Sequence, residues 1–464
     1  IQGVRAVLLL HSLTGRTVRA LQTMRVSRDR EGPSHAGFPE ILVHRGAIRF
    51  PCFWQLPDER GDSPEYFKPS DRQRVLLEDV RADFLAPLLP RLQLALSAHA
   101  DAIATCLRWS HDELAQAMRD LAAEIADEDG VEFTLGQLRS SFSVHLFEQC
   151  RDVATTQLVT ADTLGQSTAP LAYYAPRARD LAECFWTFQC RALGDEVAMP
   201  AYPLGEERIG SHLLVTLESA KRLANATPSV IRHGVDRLLS EGRLSDLHDA
   251  ITTHTICMLL AVATHRPAEA LFRLTLGDLL IERDSGAALF SDKVHDGAHN
   301  PRLVALPKTV VRQLHAYLTH LSGLSVREPL LSGHVRRVLA GEAPLFFKLV
   351  PDVGCAELNL ESFKAGLPER WRELPLNWGR HWMRTRAIEA RIRPELVNMQ
   401  LGHLEAVGYP FSGASPTEPW RFVQAVAGDW ERLAQLQGWE VFHGLKGPFT
   451  EGALLPPLQS WSTH

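Results

Sequence analysis

The chain lacks most of the features that commit a sequence to a special class. Its 464 residues hold seven cysteines, an odd number: Cys52, Cys106, Cys150, Cys184, Cys190, Cys257 and Cys355. None forms a Cys-x-x-Cys pair, which argues against a zinc ribbon or a disulfide framework and predicts a reducing, cytoplasmic setting. Long apolar runs are missing too: Ile1 to Leu13 is short and is broken by Arg5, so no membrane span or signal peptide is expected. There is no glycine-rich phosphate loop, hence no expected nucleotide cofactor. No His-x-x-x-His pair sits with an acid on a helix, hence no expected metal. Neither sign of charge dominates, with 49 Lys+Arg against 55 Asp+Glu. The chain opens on Ile rather than Met, which leads us to expect further sequence upstream.

What is present is an ordinary globular composition, 45% apolar and 22% charged, long enough for two or three domains with real cores. The net charge of −6 speaks mildly against a nucleic-acid partner. Its distribution does not, because local field matters more than the total once salt screens beyond roughly 8–10 Å. Residues 251–450 are balanced, with 22 Lys+Arg and 20 Asp+Glu. Between 371 and 394 stand Arg372, Arg380, Arg384, Arg386, Arg391 and Arg393, against Glu373 and Glu389. These make either an anion site or a solvated, arginine-rich helix face.

Residues 1–70 are turn-rich and read as an irregular N-terminal segment. Residues 71–200 read as helical, from Val75 through Phe84 to Leu88, from Leu114 to Ile125 behind a Ser110 cap, from Phe133 to Thr160, and from Tyr174 to Leu193. Tyr173 and Tyr174 are either aromatic contacts to a partner or core residues. A Pro/Gly-bearing stretch over 194–209 is the linker candidate. From 205 to 445 a second domain follows. Its helices are expected at His212–Leu223, Ser229–Ser240 and Leu247–Ala263. Three short strands come next, from Leu279, Ala287 and Arg302. Further helices are expected at Lys308–Leu321, Arg384–Glu389, Pro394–Leu401 and Trp420–Leu436, and a tail over 446–464. The fold class is mainly α with a small antiparallel β-sheet.

The second domain carries a constellation suited to phosphate chemistry. Arg266 and Glu269 stand in Thr-His-Arg-Pro-Ala-Glu after an apolar helix, and Lys293 lies between two strands. Then come Asn377-Trp-Gly-Arg380-His381, Leu401-Gly402-His403 and Tyr409, the one tyrosine after His403. In order, spacing and interposed sheet, this set resembles the tyrosine recombinase (phage integrase) family over about residues 205–430. The resemblance implies a helical catalytic domain with a small sheet, preceded by a helical DNA-binding region at 71–200. It implies catalytic roles for Arg266, Lys293, Asn377, Arg380, His403 and Tyr409, with Glu269 and His381 in support. Asn377 departs from the family's histidine, and Tyr409 lies closer to His403 than is usual, in a loop flanked by Gly408 and Pro410.

The physical reasons stand beside the resemblance. Two guanidiniums can clamp the non-bridging oxygens of a phosphodiester and keep their charge at any working pH. Lys293 could protonate a leaving oxygen, or be an ordinary turn lysine. His403 could bond a phosphate oxygen, take a proton, or merely cap a helix. Glu269 could orient Arg266 or simply pair with it. Tyr409 could attack phosphorus or pack in the core. Asn377 can donate a hydrogen bond but cannot exchange a proton near neutrality.

The resemblance further implies double-stranded DNA as partner, a 3′-phosphotyrosyl intermediate, no cofactor and no metal. It implies a homotetramer on paired sites with Trp420–Leu436 as a docking element, a bacterial nucleoid-associated setting, and accessory proteins from a mobile element or prophage. The competing expectation is a DNA-binding accessory homologue that has lost its chemistry.

Overall fold

A computed structural model describes residues 1–28, 39–51, 68–81, 83–160, 169–200, 207–262, 271–282, 284–290, 294–295, 298–299, 302–350, 354–403 and 419–447. These residues are mainly helical with small sheets. The chain divides into two compact units, Ile1–Lys68 with Asp79–His212, and Pro69–Glu78 with Leu213–His464. No described helix is long and apolar enough to cross a membrane.

The first unit corrects the reading of residues 1–70 as irregular for its described residues, while the turn-rich stretches 30–34 and 56–64 lie outside them. Helix α1 (Gln2–Thr14) buries Val4, Val7, Leu8, Leu10 and Leu13 and ends on Gly15 in the left-handed conformation. A helix apolar on nearly every side belongs in a core. A mixed sheet follows in the order β1 (Arg25–Ser27), β2 (Glu40–Leu42), β3 (Ala47–Pro51) and β4 (Asp83–Pro87). The first pair is parallel and the others antiparallel. Phe84, expected in a helix, lies in β4 opposite Phe50, ring centroids 5.3 Å apart. An apolar pair suits either period, and only the partner strand decides.

After the shorter helices Pro90–Ala98 and Ala100–Cys106 come α2 (His111–Asp129), α3 (Leu135–Cys150), α4 (Val153–Thr160) and α5 (Ala178–Leu193). Ser110 caps α2 in a reciprocal box with Glu113, as its sequence predicts. Tyr173 and Tyr174 are core residues. The end of the expected linker is bound into the unit. Arg208 and Ile209 pair with Val80 and Arg81, and buried Arg208 donates to the Ala175 carbonyl at 2.8 Å.

In the second unit much of the expected element order recurs, but the helices Ser332–Leu339 and Leu360–Gly366 and the antiparallel pair Phe347–Val350 with Gly354–Glu357 were not anticipated. The two helices anticipated at 212–240 are one, α6 (Leu217–Glu241), with Pro228 inside it. Proline cannot bond the carbonyl one turn back. Here the Thr227 hydroxyl lies 3.5 Å from the oxygens of both Leu223 and Ala224. Helix α7 (Leu244–Ala261) packs along α6 and is buried over most of its surface. Strands β5 (Leu279–Ile281), β6 (Gly286–Phe290) and β7 (Arg302–Leu306) form an antiparallel sheet with β6 in the centre. Then come α8 (Lys308–Arg327), α9 (Trp378–Glu389), α10 (Pro394–Leu401) and α11 (Pro419–Gln437).

Helix α11, the expected docking element, packs within its own unit. Phe422, Val423 and Val426 pack on Ala287, Leu303 and Ala305 of this chain's own sheet. Glu431 accepts from the Thr309 backbone N–H at 2.9 Å and its hydroxyl at 2.6 Å, holding the first turn of α8. Its apolar face is therefore covered within the chain.

Candidate active site

Helix α9 begins where two conditions coincide. Asn377 sits at its N-cap position without a side-chain cap bond, and Gly379 lies against the end of α7. A Cβ at Gly379 would collide with the Leu260 carbonyl oxygen and with Ala261. Glycine thus permits the close approach that seats the next residue, Arg380, beside the point where α7 ends. Trp371 packs edge-on against Trp378 at 5.0 Å and braces the same turn from the other side.

Three of the clustered arginines turn inward. Arg380 is 1% exposed and Arg384 is fully buried. Arg386 bonds Glu78 at 2.6 Å and Glu389 at 2.8 Å. This overturns the solvated-face alternative for this helix. Buried guanidiniums need fixed acceptors, because stripping them of water is costly.

Arg380 finds its acceptors at the end of α10. Gly402, left-handed at φ 66°, ends that helix. The chain then turns so that Nη2 of Arg380 donates to the Leu401 carbonyl at 2.5 Å and meets Nε2 of His403 at 3.1 Å. A guanidinium only donates. Nε2 of His403 must therefore carry the lone pair, so the ring is neutral with its proton on Nδ1. His403 is 6% exposed. Asn377 and His381 lie one turn apart, amide nitrogen to Nε2, at 3.3 Å.

Two residues that the sequence reading passed over fix this arrangement. Asn398 accepts from Arg384 at 2.5 Å, and its carbonyl accepts from the His403 N–H at 2.9 Å. Gln400 spans α10 and β7: its amide oxygen accepts from the Ala305 N–H at 3.0 Å and its amide nitrogen donates to the Ala305 carbonyl at 2.9 Å. Polar residues inside an otherwise apolar helix were the one signal available for either.

The structure thus brings together four of the eight expected site residues: Asn377, Arg380, His381 and His403. Arg266, Glu269, Lys293 and Tyr409 lie outside the described residues. Their described neighbours in sequence are Val262 after α7, Phe290 at the end of β6, and His403.

No family model, curated protein or solved structure matches this chain.

The site therefore rests on its own chemistry. It holds one buried cation, whose Nη2 is engaged by Leu401 and His403, beside a neutral imidazole whose N–H is at Nδ1, and an amide at the helix start. At 1% and 6% exposure neither Arg380 nor His403 is open to solvent.

Proposed function

We propose that this chain is a DNA strand-exchange enzyme of the tyrosine recombinase type, acting through a 3′-phosphotyrosyl intermediate. The observation that carries the reading is the pairing of Arg380 with His403 across 23 residues of sequence. Both belong to the motif set that prompted the resemblance, and a phosphate needs both from one direction.

Three further observations support it. The helix preceding Arg266 in sequence ends against Gly379, one residue before Arg380. An antiparallel sheet stands between that helix and α9, and Lys293 falls in the β6–β7 connection. The tautomer of His403 suits hydrogen-bond donation from Nδ1 to a phosphate oxygen better than proton abstraction by Nε2.

In this reading Tyr409 attacks phosphorus through its phenolic oxygen, its proton passing to solvent, and the bond to the 5′ oxygen breaks. Lys293 gives that oxygen its proton. Arg266 and Arg380 hold the non-bridging oxygens, and the covalent link retains the bond for rejoining, so no cofactor is required. Duplex DNA is the substrate, and a tetramer on paired sites is the working form. The setting is a bacterial mobile element or prophage with its accessory proteins.

The first unit was expected to grip DNA. Helix α2 is poorly suited to a phosphate backbone, because Asp112, Glu113, Asp120, Glu124, Asp127 and Glu128 are exposed on it against Arg119. A phosphate-contacting face must lie elsewhere on the unit.

The second reading is a DNA-binding homologue without chemistry. Asn377, which cannot exchange a proton and whose amide faces His381, favours it. A suicide duplex with a nick beside the scissile phosphate separates the two. The enzyme reading expects a covalent protein–DNA adduct that Tyr409→Phe and Arg380→Ala abolish. DNA binding without any adduct establishes the accessory reading, and an adduct that survives Tyr409→Phe removes the nucleophile assignment.

A further inference from the structure

Beyond α11 the chain runs back over the second unit as a strap, residues 438–447, and three buried polar side chains receive it. The Glu440 carbonyl lies 3.0 Å from Nε2 of His254, the Phe442 N–H donates to Gln313 at 2.8 Å, and the Leu445 N–H donates to Nδ1 of His320 at 3.1 Å. The fit is close. A Cβ on Gly444 would meet the His320 ring and Ile251, and one on Gly323 would meet the Lys446 carbonyl oxygen at 2.7 Å.

These bonds fix every proton. Leu445 donates to Nδ1 of His320, so Nε2 of that ring carries the hydrogen. It points at Nδ1 of His248, 3.2 Å away, and Nε2 of His248 in turn donates to the Phe347 carbonyl at 3.1 Å. The result is a one-way chain: backbone N–H, ring, ring, backbone C=O. His254 donates Nε2–H to Glu440, and its Nδ1 faces the Thr227 hydroxyl at 2.8 Å, a group that can donate or accept, so burial rather than a lost bond opposes a charge there. One added proton on either acceptor nitrogen of His320 or His248 turns a bond into a donor–donor clash.

We propose that His254, His248 and His320 form an acid-sensitive latch that holds the 438–447 strap down only while all three rings are neutral. All three are fully buried by exposure. Burial pushes His248 and His254 down to about 4 and His320 to about 3, the last also opposed by His248. No carboxylate contributes to holding a charge on any of them.

The charged and titratable groups around the latch do not offset this. On the strap stand Glu440, His443 and Lys446. On α8 Tyr317 packs beside His320 and bonds Thr252 and the Leu345 carbonyl. His334, with Arg337 near it, opposes a charge on His248. On α7 Asp249 acts on Tyr317 and faces Lys348, and on α6 Arg232 lies over Phe442 at 5.8 Å.

The sign follows from linkage. The rings titrate lower in the latched state than the ordinary value near 6.5, so the open state binds more protons. Latch stability is whole above about pH 6.5 and is lost as pH falls toward the latched values. Each histidine that opens to water raises the opening constant about tenfold per pH unit below about 6.5.

Hydrogen exchange of the strap amides in the 464-residue chain tests this, corrected for the intrinsic pH dependence of exchange. We expect protection of Phe442 and Leu445 to fall at least tenfold between pH 7.5 and 5.5. His254→Gln with His320→Gln, which keeps donors and acceptors but cannot charge, should flatten that dependence. If the double variant fails to fold, a histidine titration by NMR of the wild type gives the same answer: His254 and His320 should protonate together with strap opening. Unchanged protection at pH 5.5, an undiminished pH dependence in the double variant, or ring protonation with the strap still closed would each overturn the proposal.

Discussion

Gln400 treats Ala305 as a strand neighbour. Its side-chain amide accepts from the Ala305 N–H and donates to the Ala305 carbonyl, at 3.0 and 2.9 Å, on the strand that forms one side of the sheet. The helix that leads into His403 is thereby tied to the sheet one turn before the site. Gln400→Met, which keeps length and removes both bonds, leaves two buried backbone groups unmet. We expect a loss of about 2–4 kcal/mol in urea unfolding. A loss below about 0.5 kcal/mol would mean that water replaces the amide.

Gly379→Ala tests the contact that seats Arg380. The added methyl meets the Leu260 carbonyl, which is backbone and cannot swing away. Separating α9 from α7 should cost about 3 kcal/mol or more, seen as a lower thermal midpoint. Arg380 should lose its place beside His403 in the same variant. Wild-type stability in Gly379→Ala would show that the two helices slide freely.

Arg391 should accept glycine with gain. It is an exposed non-glycine residue at φ 58°, directly after the last turn of α9. That conformation crowds a Cβ. Arg391→Gly should stabilise the chain by about 0.5–1 kcal/mol in chemical denaturation. A loss would instead assign the arginine a contact whose value exceeds its backbone strain.

Asp249 predicts a pH dependence of the opposite sign to the histidine latch. It lines a cleft with Thr252, Thr253, Lys348 and Ser362. Burial raises its carboxyl from 3.8 to about 6, with Lys348 opposing the shift from 3.8 Å. A raised folded value means stability that is present at low pH and lost as pH rises through about 6. Asp249→Asn should therefore raise the thermal midpoint at pH 7.5, by about 1–3 °C, and change it little near pH 4. A lower midpoint at pH 7.5 would show that the attraction to Lys348 outweighs desolvation.

Much of the element order from 217 to 437 was legible because apolar spacing is a local property, although the short elements between Ser332 and Gly366 were not. The α7 and α8 helices, three strands separated by turns, and α10 between Pro394 and Gly402 each announce themselves within a window of a few turns. The cap of α2 was equally local. Residues 1–70 were not legible. Helix α1 is apolar nearly all round, which erases the stripe that marks an amphipathic helix, and the strands there are three to five residues long. Phe84 shows the same limit, since its strand exists through pairing with Phe50, 34 residues earlier. The break expected between Leu223 and Ser229 is absent, because Pro228 sits inside one continuous helix.

By itself the sequence determined which residue types could serve phosphate chemistry and in what order, since charge, donor capacity and spacing are written in the chain. It could not say which arginines face water. Arg380, Arg384 and Arg386 read alike, yet the first is aimed at Leu401 and His403, the second at Asn398 and the third at Glu78 and Glu389. Tertiary structure alone decided this. Periodicity reports neighbours three or four positions away, whereas a buried guanidinium takes its direction from acceptors that the fold brings from 14, 21 and 308 residues off.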